Sequence, residues 1–248
     1  MASSVDIFDD LEAEQEQLES VLAGLKPDDW LAPSAAAGWT VSDVVLHLAQ
    51  TEEGVRATVR GNPDAIEWRS YGGTVDEAMA AMVLAEPAEP AAVFERWRVA
   101  RRAAVQALRS ADPQRPVRWV TTSLKPRTLA TTRLAEHWAH GLDITMPLGI
   151  GYPDTTRLRH VAWLGHSTLP YAFSLAGLPA VPVHCDLIAP DGSSWQFGDP
   201  GAESVISGAA GAFCRVGARR LAAESSGLQT RGPYGARALQ LLRNYADV

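Results

Sequence analysis

The chain is poor in cysteine and in lysine: its 248 residues include only Cys185, Cys214, Lys26 and Lys125 of these two types. Two cysteines cannot build a disulfide framework, and neither lies in a metal-type Cys-x-x-Cys pair, so both read as reduced, buried thiols. Positive charge is in deficit. The 22 Lys and Arg against 29 Asp and Glu leave a net charge of −7, which argues against nucleic acid as a partner because phosphate binding needs clustered cations. The scarcity of lysine beside arginine, with abundant alanine and little asparagine, is the mark of a GC-rich bacterial coding sequence and says nothing of function. Long apolar runs are missing too. The most apolar late stretch, 169–183, is broken by Pro170, Pro179 and Pro182, so no membrane span is expected. Residues 1–10 are acidic where a signal peptide would be basic, and the expected location is the cytoplasm.

What remains is a soluble globular composition, 46% hydrophobic with a mean hydropathy of −0.08, long enough for one large or two small domains. Apolar residues recur at helical spacing over 5–25 (Ile7, Leu11, Leu18, Leu22), 41–60 (Val41, Val44, Val45, Leu48, Val55) and 91–110 (Val93, Trp97, Ala104, Leu108). Pro27, Gly61-Asn62-Pro63 and Asp112-Pro113 end these helices. A weaker helix is expected at 75–85 and others at 128–146 and 155–176, the last capped by Asp154. The pattern then changes. Residues 181–188 alternate as a strand, Asp191-Gly192 marks a hairpin, and 194–197 and 204–206 follow as strands, with helices at 209–222 and 234–246. The expected architecture is therefore mainly α: a helical bundle over 1–177 and a small C-terminal α+β domain over 178–248.

The chemistry-bearing segment is Arg133-Leu-Ala-Glu136-His137-Trp-Ala-His140-Gly-Leu-Asp143. Glu136 and His140 are four apart and share one helix face, where a carboxylate and an imidazole can hold one divalent ion. Arg133 and Asp143 extend the stripe by a turn at either end, opposite a packing face of Leu134, Trp138, Leu142 and Met146. A polar stripe can equally well just face water. A third ligand is available in His47, on the flank of the 41–60 helix, which Thr40 and Asp43 open as a capping box; the alternative for His47 is a boundary histidine with one hydrogen bond. Two histidines and a glutamate from two helices leave a coordination position open, the pattern of a catalytic rather than a structural zinc site. Asp143 suits the outer nitrogen of His140, or else ends the helix in solvent. Arg133 either pairs with Glu136 or binds an anionic substrate. His137, turned about 100° away, reads as a surface or packing histidine. Glu52 is a weaker candidate for an extra ligand or general base, and His184 reads as exposed.

His47 in its Trp-Thr-Val-x-Asp-Val-Val-x-His-Leu setting, followed by Glu136-His-Trp-Ala-His140-Gly-x-Asp143, resembles the DinB-like metalloenzyme superfamily, and within it the branch typified by mycothiol-dependent maleylpyruvate isomerase. Segments such as Leu158-Arg-His160-Val-Ala-Trp-Leu-Gly165 and Gly208-Ala-Ala-Gly-Ala-Phe-Cys214 are similar to an uncharacterised actinobacterial subgroup of that branch. The resemblance implies a four-helix bundle holding a divalent metal, foremost Zn2+, on His47, Glu136 and His140, and an arginine drawn from the C-terminal domain, for which Arg215, Arg219 and Arg220 are candidates.

The leading expectation is a metal-dependent isomerase or thiol transferase that takes mycothiol as cosubstrate and a small organic acid or natural-product intermediate as substrate, acting as a monomer or homodimer. No cysteine lies inside the ligand motifs, in keeping with a nucleophile brought in from outside. The alternatives are a thiol-free metal-dependent hydrolase, lyase or cyclase, and a metal-binding protein without catalysis.

Overall fold

Helix starts follow the local chemistry of the chain. In the computed structural model, which describes residues 6–62 and 68–244, the Asp6 side chain accepts a hydrogen bond at the start of α1 (Ile7–Ala23), and Pro27 opens the short α2 (Pro27–Leu31). Thr40 and Asp43 close a reciprocal capping box on α3 (Val41–Val59), with Asp43 N donating to Thr40 Oγ1 at 3.2 Å and Thr40 N to Asp43 Oδ2 at 2.9 Å. Thr74 and Glu77 repeat the device on α4 (Val75–Ala85). α5 (Pro90–Ser110) and α6 (Pro126–Thr145) both begin on proline, whose missing N–H would have had no partner in a first turn. The apolar stripes of α1, α3 and α5 meet in a core of Leu18, Leu22, Val41, Val44, Val45, Leu48, Val93 and Trp97, joined from α6 by Ile144. Between α5 and α6 lies a hairpin that periodicity did not reveal, β1 (Val117–Trp119) with β2 (Thr122–Leu124), because three-residue strands carry too few alternations to read.

The second part holds α7 (Leu158–Ser167), α8 (Leu169–Leu175), β3 (Val183–Ile188), β4 (Ser194–Phe197), β5 (Ser204–Ala209), α9 (Ala210–Gly217), β6 (Gln229–Arg231) and α10 (Gly235–Leu241). Its sheet runs β4-β3-β5-β6. β3 and β4 form the expected hairpin, Cys185 opposite Phe197, around a turn in which Gly192 takes φ 83° and Asp191 accepts from Ser193 N. The β3–β5 pair is parallel and β5–β6 antiparallel. Among the described residues, no helix is long and apolar enough to cross a membrane.

Several expectations need correcting. The chain divides into compact units after Tyr152, not near 178. The change of pattern at Gly177 marks a helix-to-strand switch inside the second unit: there Thr168 Oγ1 donates to Arg243 O and His166 Nε2 to Val183 O, so α7 and α8 are bonded to the segments that follow them. The helix expected at 155–176 breaks at Thr168, two residues before Pro170. Asp154 does not cap it but accepts two hydrogen bonds from Arg215, at 2.6 and 2.9 Å. Met146, beyond the last turn of α6, is exposed, and His184 is buried, since β3 is an inner strand. The expected residues 1–5, Pro63 and 245–248 lie outside the described residues.

Candidate metal centre

α3 and α6 bring His47, Glu136 and His140 together. One ligand-type atom from each lies within 4.8 Å of the other two. Glu136 Oε2 stands 3.5 Å from His140 Nε2 and 4.0 Å from His47 Nε2. The two imidazoles meet edge to face at 5.1 Å between centroids. His47 and His140 are almost wholly enclosed, whereas a third of the Glu136 side chain is open.

The surroundings set the protonation of each group. His140 Nδ1–H donates to Asp143 Oδ2 at 2.9 Å, which orients the ring so that Nε2 faces Glu136. Burial opposes charge on His140, but the Asp143 and Glu136 carboxylates outweigh it and raise its pKa. Glu136 is likewise desolvated, yet hydrogen bonding with His140 and His47 holds it well below the ordinary carboxylate range. His47 is pushed down to about 4, mainly by burial, against the pull of Glu136. Among the described residues its Nδ1 has no hydrogen-bond partner. A buried imidazole so poorly bonded, one carboxylate and a second imidazole whose Nε2 faces that carboxylate form a donor set that suits a divalent cation.

Trp39, which spacing alone did not single out, forms one wall of this cluster. Its ring lies 5.1 Å from that of His47 and stacks at 6.3 Å on that of His140. The loop that carries it is tied to α6 by Ala35 N, which donates to Asp143 O at 2.8 Å. That carbonyl is available because its helical partner would be Pro147, which has no N–H. Within the loop, Gly38 takes φ 81° and Ser34 N donates to Trp39 O.

Arg133 does not pair with Glu136. Its Nε donates to Glu52 Oε1 at 2.8 Å and its Nη2 to Thr51 Oγ1 at 2.7 Å, all three residues being buried. Pairing within α6 was the local solution; the guanidinium instead crosses to α3, where Glu52 is fully buried and would otherwise be an uncompensated charge. Glu52 therefore stands outside the ligand triad. His137 is not a surface residue. It is completely enclosed, donates from Nδ1 to Arg133 O at 2.8 Å, accepts from Trp97 Nε1–H at 3.2 Å, and is pushed down to about 3 by burial and then by Arg133. In the second unit, Arg215 is held by Asp154, Arg219 takes φ 58° and Arg220 donates to Ala218 O.

A helical bundle bearing a two-histidine, one-glutamate cluster, followed by a small α+β unit, defines the class. The chain belongs to the mycothiol maleylpyruvate isomerase N-terminal domain family, which matches residues 11–145. It is 32% identical over 244 residues to an uncharacterised protein found in two strains of Mycobacterium tuberculosis, covering 96% of this chain and 94% of the relative. Its fold is similar to crystal structures of the mycothiol-dependent maleylpyruvate isomerase (TM-score 0.57) and of a point mutant of it (TM-score 0.60), each at 15% identity over 92% of this chain and 95% of the other.

Proposed function

We propose that the protein is a metal-dependent enzyme, an isomerase or thiol transferase, that takes a low-molecular-weight thiol of the mycothiol type as cosubstrate and acts on a small organic acid or natural-product intermediate. The observation that carries this reading is the convergence of His47, Glu136 and His140 within 4.8 Å. Family membership supports the thiol.

His47, Glu136 and His140 would hold the ion, and Zn2+ fits two nitrogens and a carboxylate best, although nickel, iron and manganese also accept this set. Bound there, a divalent cation supplies Lewis acidity and lowers the pKa of a thiol that reaches its open position. The chain prepares for this. Burial keeps His47 neutral at physiological pH, Glu136 stays ionised, and Asp143 fixes the tautomer that turns His140 Nε2 inward. Trp39 shields two of the imidazoles from water. The protein's own thiols are unsuited to the nucleophile's role. Cys185 and Cys214 are both buried, and desolvation raises the pKa of each, to about 12 for Cys185, so neither supplies a thiolate.

The test is a metal analysis of the purified protein, followed by calorimetric titration with mycothiol before and after chelation. Saturable thiol binding that disappears with the metal supports the proposal. Full turnover without any thiol would replace it with a thiol-free hydrolase, lyase or cyclase.

A further inference from the structure

The two helices that carry the candidate ligands are cross-linked by a buried hydrogen-bond chain immediately beside them. Arg133 lies one turn before Glu136 on α6. Its Nη2 donates to Thr51 Oγ1, and the Thr51 hydroxyl is within hydrogen-bonding distance of the backbone carbonyls of His47, at 2.9 Å, and Leu48, at 3.1 Å. Arg133 Nε donates to Glu52 Oε1 on the same turn of α3. The Arg133 carbonyl accepts from His137, which is bonded in turn to Trp97 of α5. Every member is buried: Thr51 and Arg133 are 6% and 2% exposed, and Glu52 and His137 are 0% exposed.

Such a chain is costly unless it is geometrically satisfied, because an ion pair removed from water regains its hydration only through good partners. A bundle of this size could fill the same space with apolar side chains at equal or lower cost. What the polar chain adds is register. A hydrophobic α3–α6 contact tolerates small slides, whereas the fork of Arg133 fits Glu52 and Thr51 in one register only. His47 comes from α3, and Glu136 and His140 come from α6, so the distance between the ligands on the two helices depends on that register.

We propose that Thr51, Glu52 and Arg133 are positioning residues that fix the register of α3 against α6 and so set the spacing of His47 from Glu136 and His140. They touch no substrate in this role. The inference rests on the metal-binding reading above and extends it to residues outside the ligand set. It also explains why Arg133 is bonded to Glu52 and Thr51 rather than to Glu136: a guanidinium bonded to that carboxylate would compete with the ion for it.

Thr51→Val is the sharpest probe, since it keeps size and branching, removes the hydroxyl and leaves no charge unpaired. Arg133→Lys retains the charge but loses the fork. Thr51→Ser is the conservative control. Zinc affinity is read by competition with a chromophoric chelator, coordination geometry by the visible spectrum of the cobalt(II)-loaded protein, and folding by circular dichroism. The expected result is that Thr51→Val and Arg133→Lys weaken zinc binding about tenfold or more, the range found for groups that orient ligands from outside, and shift the cobalt spectrum, while Thr51→Ser stays near the parent. Folded Thr51→Val and Arg133→Lys proteins with parental affinity and spectrum would overturn the proposal and leave the chain a purely structural one. A parent protein that takes up no divalent ion would overturn the metal reading itself and the proposal with it.

Discussion

At the scale of single residues, the candidate site sets two enclosed imidazoles beside a carboxylate that is one-third open to water. Glu136 is held ionised, burial keeps His47 neutral, and Asp143 orients His140, whose pKa the two carboxylates raise, so that a bound cation would displace a proton from it. The protein is expected to purify with about one divalent ion per chain, and His47→Ala or His140→Ala should remove most of it; elemental analysis checks this, and unchanged content in His140→Ala would refute the ligand assignment. Asp143 acts through its hydrogen bond to His140. Asp143→Asn keeps the shape but weakens the acceptor, and should reduce metal affinity by roughly ten- to a hundredfold with the circular dichroism spectrum unchanged. The i, i+4 placement of Glu136 and His140 was legible in the sequence because helical periodicity is local. The partners of Arg133 and His137 were not, since Glu52, Thr51 and Trp97 lie about 40 to 80 residues away along the chain and nothing in their spacing points to α6.

Among the elements, α6 is the one on which the site turns, and close packing holds its last turns. Tyr152, at the end of the connection that follows α6, donates from its hydroxyl to Glu14 Oε1 on α1 at 2.7 Å. Its ring lies directly over Gly141, so a Cβ at that position would meet the ring at 2.7 Å. Gly141 has an ordinary helical backbone, and the requirement for glycine there is one of space. Gly141→Ala would improve helix propensity but overpack the contact, and should destabilise the first unit by about 1–3 kcal/mol. Urea unfolding measures this, and a stabilised variant would show that Tyr152 moves aside freely. The helices opened by Thr40, Thr74, Pro90 and Pro126 began within a residue or two of where expected, whereas the cap expected from Asp154 did not form. The β1–β2 hairpin, too short for periodicity, and the split of the helix expected over 155–176 were decided by strand pairing and by packing.

For the whole molecule, the buried histidines give the metal-free protein a definite response to pH. His137 and His47 titrate near 6.5 when unfolded and near 3 and 4 when folded. Below pH 6.5 the unfolded chain therefore takes up protons that the folded chain refuses, and stability falls as pH is lowered through that window. Glu136, depressed below its ordinary value, adds to the loss in acid. His140 is raised, so its contribution is complete below 6.5 and is lost as pH rises through its folded pKa. Glu52, whose pKa burial raises, likewise loses stability as pH rises above its unfolded value. In urea titrations the metal-free protein should therefore lose stability on either side of a maximum, with His137 and His47 setting the loss below pH 6.5. Bound metal should remove the His140 part of the alkaline limb, because the ion replaces the proton on His140. A profile rising steadily towards acid would contradict this. The division of the chain after Tyr152 makes a further prediction. Residues 153–248 should give a dispersed amide spectrum on their own, whereas 178–248, deprived of α7 and α8, should not.

The sequence by itself determined the helical character of α1, α3, α5 and α6, the β3–β4 hairpin and the shared helix face of Glu136 and His140. Each follows from short-range rules: 3.6-residue periodicity, capping, and the turn chemistry of Asp191-Gly192. Only the tertiary structure decided that Arg133 would cross to Glu52 rather than stay with Glu136, that His137 would be enclosed against Trp97, that Trp39 would cover the imidazoles, and that α7 and α8 would join the second unit. These outcomes depend on which elements become neighbours. Burial then makes an unpaired charge or donor too costly to leave, and its partner is chosen from whatever residues packing brings within reach.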